Sequence, residues 1–233
     1  MTIHKLAPKK KALGEYRMLN KSNDRGEIWL YGSIGADWFG DGVTAKQFAD
    51  DLKKLGTVNA IDLRINSDGG VVTDARAMYN LLVEHKAKVN VHIDGIAASA
   101  ASFLAMAGDT IEIAEGGFVM VHNARGVTIG DAGDHERMGG VLRQVNQTII
   151  DTYVARTKRD AKQVKKWMDA ETWFTGKEAV ANGFADKIVE NMKVAASLAH
   201  PEMFRNLPAA LRPNRARAAA AIESIRSAAG GSH

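Results

Sequence analysis

The chain contains no cysteine in 233 residues, which excludes disulfides and thiolate metal sites and fits a reducing, cytoplasmic setting. No stretch approaches the ~20 apolar residues of a membrane span, and the opening "HKLAPKKKALG" is basic and polar rather than an apolar signal core. No internal repeat is present. A large excess of charge is also missing. The net charge is +4, and much of it sits at the two ends, including the tail "LRPNRARAAAAIESIRSAAGGSH". Recognition of nucleic acid needs basic residues clustered on a folded face, so this distribution argues against it. The closing "GGSH" has the composition of an expression scar.

What is present is ordinary for a globular protein: 45% hydrophobic and 25% charged residues, enough to bury one core without covalent staples. "GEIWLYGSI" (26–34), "NAIDLRIN" (59–66) and "KVNVHID" (88–94) read as strands bounded by turn residues. Between them, "TAKQFADDLKKLG" reads as a helix with Thr44 and Gln47 as a capping box and Gly56 as its stop. A second helix runs from about Val72 to Glu84, with Ala75, Met78, Leu81 and Leu82 at helical spacing. "DTIEIAEGGFVMVH" gives two short strands around a Gly-Gly turn. A long helix follows from about His135 to Thr157, and its stripe (Met138, Val141, Leu142, Val145, Ile149, Tyr153) needs a covering surface. "AKQVKKWMD" reads as a short helix. "TGKEAVANG" is another, capped by Thr175 and Glu178 and ended by Gly183, and "FADKIVE" is a last strand. Strands alternating with helices predict parallel β-α-β units.

Three places can carry chemistry. In "INSDGG" (65–70) a strand end and two glycines expose backbone N–H groups ahead of a helix, a nest for a phosphate or an oxyanion. Neither the phosphate-loop nor the spaced-glycine dinucleotide pattern follows, and a plain structural turn fits as well. In "GIAASAASF" (95–103) a strand, a glycine and a helix start put Ser99 at a helix N-terminus, where charge on a bound acyl group is favoured. A tightly packed small-residue helix explains the same letters. In "FVMVHNARG" His122 ends a buried run and can take a proton from a hydroxyl, or it can be a satisfied structural histidine. His92 and His135 read as structural, and His4, His85, His200 and His233 as exposed or terminal. The order of the three places adds weight, because all fall along one edge of a parallel sheet.

"INSDGG" with "VVTDARAMYNLL", "GIAASAASFLAMAGD", "FVMVHNARG" and "EAVANGFADKIV" together resemble the ClpP family of serine proteases, in order from about Glu27 to Val189. "ETWFTGKEAVANGFAD" resembles the phage and prophage head-maturation (prohead) branch most closely. The resemblance implies an α/β fold: a ClpP/crotonase-like spiral of ββα units with a protruding handle helix at about 135–157, assembling into rings. It divides the chain into a basic, partly flexible segment (1–25), a protease domain (26–192) and an Ala/Arg-rich tail (193–233).

It further implies Ser99 as nucleophile and His122 as general base and acid. Backbone amides of Gly69, Gly70 and Ala100 would form the oxyanion hole, and Gly126, Val127 and Thr128 would hold an extended peptide. Ser102 matches a packing position. The family's third residue is an aspartate, whereas Glu171 stands there, with Asp169 as the alternative. Asp68 replaces a proline, and the short basic N-terminal segment differs from the gating segment of housekeeping members, which argues against an ATPase unfoldase partner. No cofactor or metal is expected, and no membrane partner. Implied substrates are proteins, phage scaffold or capsid proteins on the closer resemblance, cleaved in the host cytoplasm or inside the assembling head. The alternatives are a Ser-Lys protease of the signal-peptide-peptidase kind, a crotonase-fold acyl-CoA enzyme, and a catalytically idle ring scaffold.

Overall fold

The computed structural model describes residues 16–21, 24–36, 42–190, 198 and 200–212. Three strands form its centre: β2 (Arg25–Tyr31), β3 (Ala60–Ser67) and β4 (Lys88–Ala98) run parallel, with Ile28 opposite Leu63 and Leu63 opposite Val91. On β3 buried and half-buried residues alternate strictly, so Ile61, Leu63 and Ile65 enter the core. Their neighbours Asp62 and Arg64 lie on a polar face, where Arg25 pairs with Asp62 and Arg64 with Asp94.

Helices α1 (Ala45–Leu55) and α2 (Val72–Val83) cover the apolar side. α1 buries Phe48, Leu52 and Leu55, and α2 buries Ala75, Met78 and Leu82. Each of the larger side chains contributes about 1.5–3 kcal/mol by leaving water. Thr44 accepts the Gln47 N–H at 3.2 Å, but the return bond expected of a full capping box is absent.

β4 is longer than its sequence signal. Its first half pairs with β5 (Thr110–Ala114) and its second half, Ile96–Ala98, pairs with β6 (Phe118–Val121), both in parallel. The strand thus changes neighbours just before Ser99. β6 also pairs antiparallel with β7 (Thr172–Thr175), and β5 carries β8 (Lys187–Val189) at the sheet's far edge. Between β4 and β5 the short helix α3 (Ala100–Ala105) is buried throughout, as its alanines allow.

α4 (Ala132–Thr157) begins three residues before the sequence expectation, because Asp131 and Asp134 form a reciprocal capping box. It is about 39 Å long. Only its second half docks, through Ile149, Ile150 and Tyr153, while Val141 on the first half is half exposed. α5 (Ala161–Asp169) and α6 (Gly176–Asn182) follow, α6 with the predicted box of Thr175 and Glu178. Gly183 ends it at φ +84, where an added Cβ would lie 2.9 Å from the Thr157 carbonyl.

Two stretches carry structure that their letters do not announce. Tyr16–Lys21, within the basic, partly flexible segment expected over 1–25, forms β1 and pairs antiparallel with β2 along its whole length. Its polar letters face solvent at one end, while Tyr16 and Met18 pack on the core. Part of the tail is also structured: residues 200–212 carry two short 3₁₀ turns and pack against the domain. The basic start and the Ala/Arg run beyond 212 lie outside the described residues.

Candidate active site

Ser99 sits where β4 stops and α3 begins, with φ +54 and ψ −124. A side chain pays roughly 1–3 kcal/mol for such a backbone, so local bonds must hold it there. The Ser99 N–H donates to the Met120 carbonyl at 2.9 Å. Its own carbonyl accepts from the Ser102 N–H (3.0 Å), the Phe103 N–H (3.2 Å) and Ser102 Oγ (2.6 Å). Ser102 Oγ also meets the buried Tyr153 hydroxyl at 2.8 Å. Ser102 is therefore a buried brace for the turn. Ser99 Oγ points the other way and lies 2.6 Å from His122 Nε2.

His122 follows β6, whose pairing to β4 brings it beside Ser99. Its side chain is 11% exposed. Burial first, and then the Arg125 cation, pull its pKa from 6.5 down to about 4, with Glu171 opposing. The ring is therefore neutral near pH 7, the state able to accept a hydroxyl proton. Nδ1 is buried without a hydrogen-bond partner among the described residues, and Glu171 Oε2 lies 3.9 Å away. That separation is an electrostatic contact and exceeds hydrogen-bond length.

Glu171 is itself buried, at a positive φ of 49 just before β7. Its carboxylate accepts from Arg125 at 2.7 Å and from the Asn206 N–H at 2.8 Å. Asp169, the alternative acid, is at the surface and bonds Asn123 and Lys165. It does not face His122.

The "SDGG" turn abuts the serine. A Cβ on Gly69, at φ +100, would fall 2.8 Å from Ser99 Cβ and 2.9 Å from the Ala100 nitrogen. Of the three amides assigned to an oxyanion hole, that of Gly69 is occupied, donating to Ser67 Oγ at 3.1 Å. Those of Gly70 and Ala100 have no hydrogen-bond partner among the described residues. Such paired free amides suit a developing negative charge.

An open groove of about 450 Å³ runs past these groups, lined by Gly69, Gly70, Ser99, His122, Leu142 and Phe204 among others. Behind Ser99 lies a narrow slot of about 20 Å³ walled by Val72, Ala75, Phe103, Ile149 and Tyr153. Gly126 and Val127 are exposed and Thr128 half-buried, in a loop without strand pairing. None of the three lines the groove, whose wall there is Ala124 and Arg125. Sequence reasoning missed Arg125, although "HNARG" contains it, and it missed Asn206, which carries no local signal.

Among the described residues no cluster of three or more His, Asp and Glu side chains could hold a metal, and no helix is long and apolar enough to cross a membrane. The family model for Clp protease matches residues 15–192, which takes in the whole sheet, Ser99, His122 and Glu171, and the chain belongs to that family of ClpP-like proteases.

Proposed function

We propose that this protein is a serine endopeptidase in which Ser99 is the nucleophile. The observation that carries this reading is the 2.6 Å contact of Ser99 Oγ with His122 Nε2, beside a turn whose Gly70 and Ala100 amides have no hydrogen-bond partner among the described residues. His122 accepts the hydroxyl proton as Oγ attacks the peptide carbonyl, and the oxyanion is held by the Gly70 and Ala100 amides. His122 then gives that proton to the leaving amine. An acyl ester remains on Ser99, and water, deprotonated by His122, releases it. Glu171 stabilises the charged imidazole through its nearby carboxylate.

The groove admits an extended chain. Its neighbour, the loop of Gly126, Val127 and Thr128, is free to add a strand to such a peptide. Exposed Val127 and Ile129 just before α4, with the half-exposed Val141 on it, support self-association into rings. The resemblance of "ETWFTGKEAVANGFAD" to the head-maturation branch supports phage scaffold or capsid proteins as substrates. A Ser-Lys mechanism is disfavoured, since no lysine among the described residues lines the slot or the groove.

The test is hydrolysis of an unfolded protein by the wild type and by Ser99→Ala and His122→Ala, with native mass spectrometry on each. The wild type is expected to cleave as a ring, and both variants to assemble and not cleave. Cleavage by Ser99→Ala would overturn the assignment, and a stable monomer would overturn the ring.

A further inference from the structure

Leu198 and residues 200–212 lie beyond the span matched by the family model, yet they reach into the candidate active site. Leu198, Phe204 and Leu211 pack on Ile96, Ala98 and Met120, beneath the Ser99 turn. Phe204 stands edge-on to Trp173 at 5.2 Å, and its ring centre is 6.4 Å from that of His122. The segment is tied to both rims of the groove. The His200 N–H donates to Asp68 Oδ2 at 3.0 Å on one side, and the Arg125 guanidinium donates to the Met203 carbonyl on the other.

Its most consequential bond is to Glu171. A carboxylate whose side chain is 1% exposed needs donors on both oxygens, because burial removes its water. The matched domain supplies one donor, Arg125, on Oε2. The other, on Oε1, is the backbone N–H of Asn206. Asn206 is pinned in turn by its side chain, which donates to the Ala170 carbonyl at 2.6 Å. Arg125 depends on the same segment through the Met203 carbonyl. The orientation that leaves Oε2 facing His122 Nδ1 is thus fixed partly from outside the matched domain, through the Oε1 donor and the carbonyl that holds Arg125.

We propose that Leu198 and residues 200–212 form a strap that positions the Glu171 carboxylate, with the Asn206 N–H and the Phe204 ring as its positioning groups. The strap holds the Glu171 carboxylate and shields one side of His122. It thereby acts on the acylation step and leaves most of the groove's binding surface intact. This role rests on the serine-protease reading above.

The experiment measures labelling of the full-length chain by a small fluorophosphonate, separating the inactivation rate from probe affinity. The variants are Asn206→Pro, Asn206→Ala, Phe204→Ala and Phe204→Leu, and their melting temperatures establish folding. Asn206→Pro removes the N–H, and its inactivation rate should fall about tenfold, the worth of one charge-assisted hydrogen bond, with probe affinity little changed. Asn206→Ala keeps the N–H and should lose less. Phe204→Ala should slow labelling, and Phe204→Leu, which retains apolar packing, should recover most of it. If Asn206→Pro does not fold, the Phe204 pair decides alone. Unchanged labelling in the folded variants would overturn the strap, as would a change confined to affinity. Faster labelling would overturn it too, since the segment would then be a latch. A wild-type chain that does not label at Ser99 defeats the underlying serine-protease reading, a separate result, and the strap with it.

Discussion

Acidification tests the electrostatics of His122 directly. Burial and the Arg125 cation hold its pKa at about 4, below the ordinary 6.5. At ~1.4 kcal/mol per pH unit, the folded chain disfavours the protonated ring by about 3 kcal/mol. The unfolded chain takes up this proton below pH 6.5 and the folded chain only below about 4. The histidine's contribution to stability is therefore fully present above 6.5, declines through that window, and is lost by pH 4. Fluorophosphonate labelling followed from pH 8 downward should stay level to about pH 5 and be half-maximal near 4, because neutral imidazole is the base. Arg125→Gln removes the second cause of the depression, so its half-point should move upward. Urea denaturation at pH 7 and pH 4.5 should show a larger stability loss for the wild type than for His122→Gln. A wild-type half-point near 6.5, or a downward move in Arg125→Gln, would refute the reasoning.

Gly69→Ala places a Cβ 2.7 Å from the Ala98 carbonyl and 2.8 Å from Ser99 Cβ, at a φ alanine avoids. The chain should still fold, as judged by circular dichroism, while labelling falls by about 10² or more through displacement of the oxyanion amides. Ser102→Ala leaves the buried Tyr153 hydroxyl without its partner and should cost about 1–3 kcal/mol in urea denaturation, with Ser99 still labelled. Glu171→Gln should lower peptide hydrolysis by about 10² or more. Asp169→Asn, exposed and bonded to Lys165 and Asn123, should leave that rate nearly unchanged.

Much of this arrangement is legible in the letters because local signals and tertiary needs coincide. Alternating Ile61, Leu63 and Ile65 announce β3, and Thr175 with Glu178 announce α6. The strand, glycine and small-residue helix around Ser99 announce a sharp turn, since the run of alanines lets α3 bury itself against the sheet. Other parts depend on pairing that no short stretch encodes. β1 has a mixed polar sequence and becomes a strand by pairing with β2. β7 is four residues long and exists because β6 offers a free edge. The division of β4 between β5 and β6, which coincides with a register shift between Ile65 and Ser67 on β3, is a matter of pairing that composition does not encode.

The site shows the same boundary. Ser99, His122 and the glycine turn are each marked locally, and the parallel sheet gathers them at one end. The donors to Glu171 are not marked. Arg125 looks like any loop arginine, and the Asn206 donor is a backbone N–H that carries no side-chain signature. The occupied Gly69 amide is likewise visible only once Ser67 Oγ is placed against it.

The most direct test of the central claim is to locate the residue that a fluorophosphonate modifies, by mass spectrometry of the digested, labelled wild-type protein. One adduct is expected, on Ser99, absent from Ser99→Ala and retained in Ser102→Ala. An adduct on Ser102 or any other residue, or none at all, would contradict it.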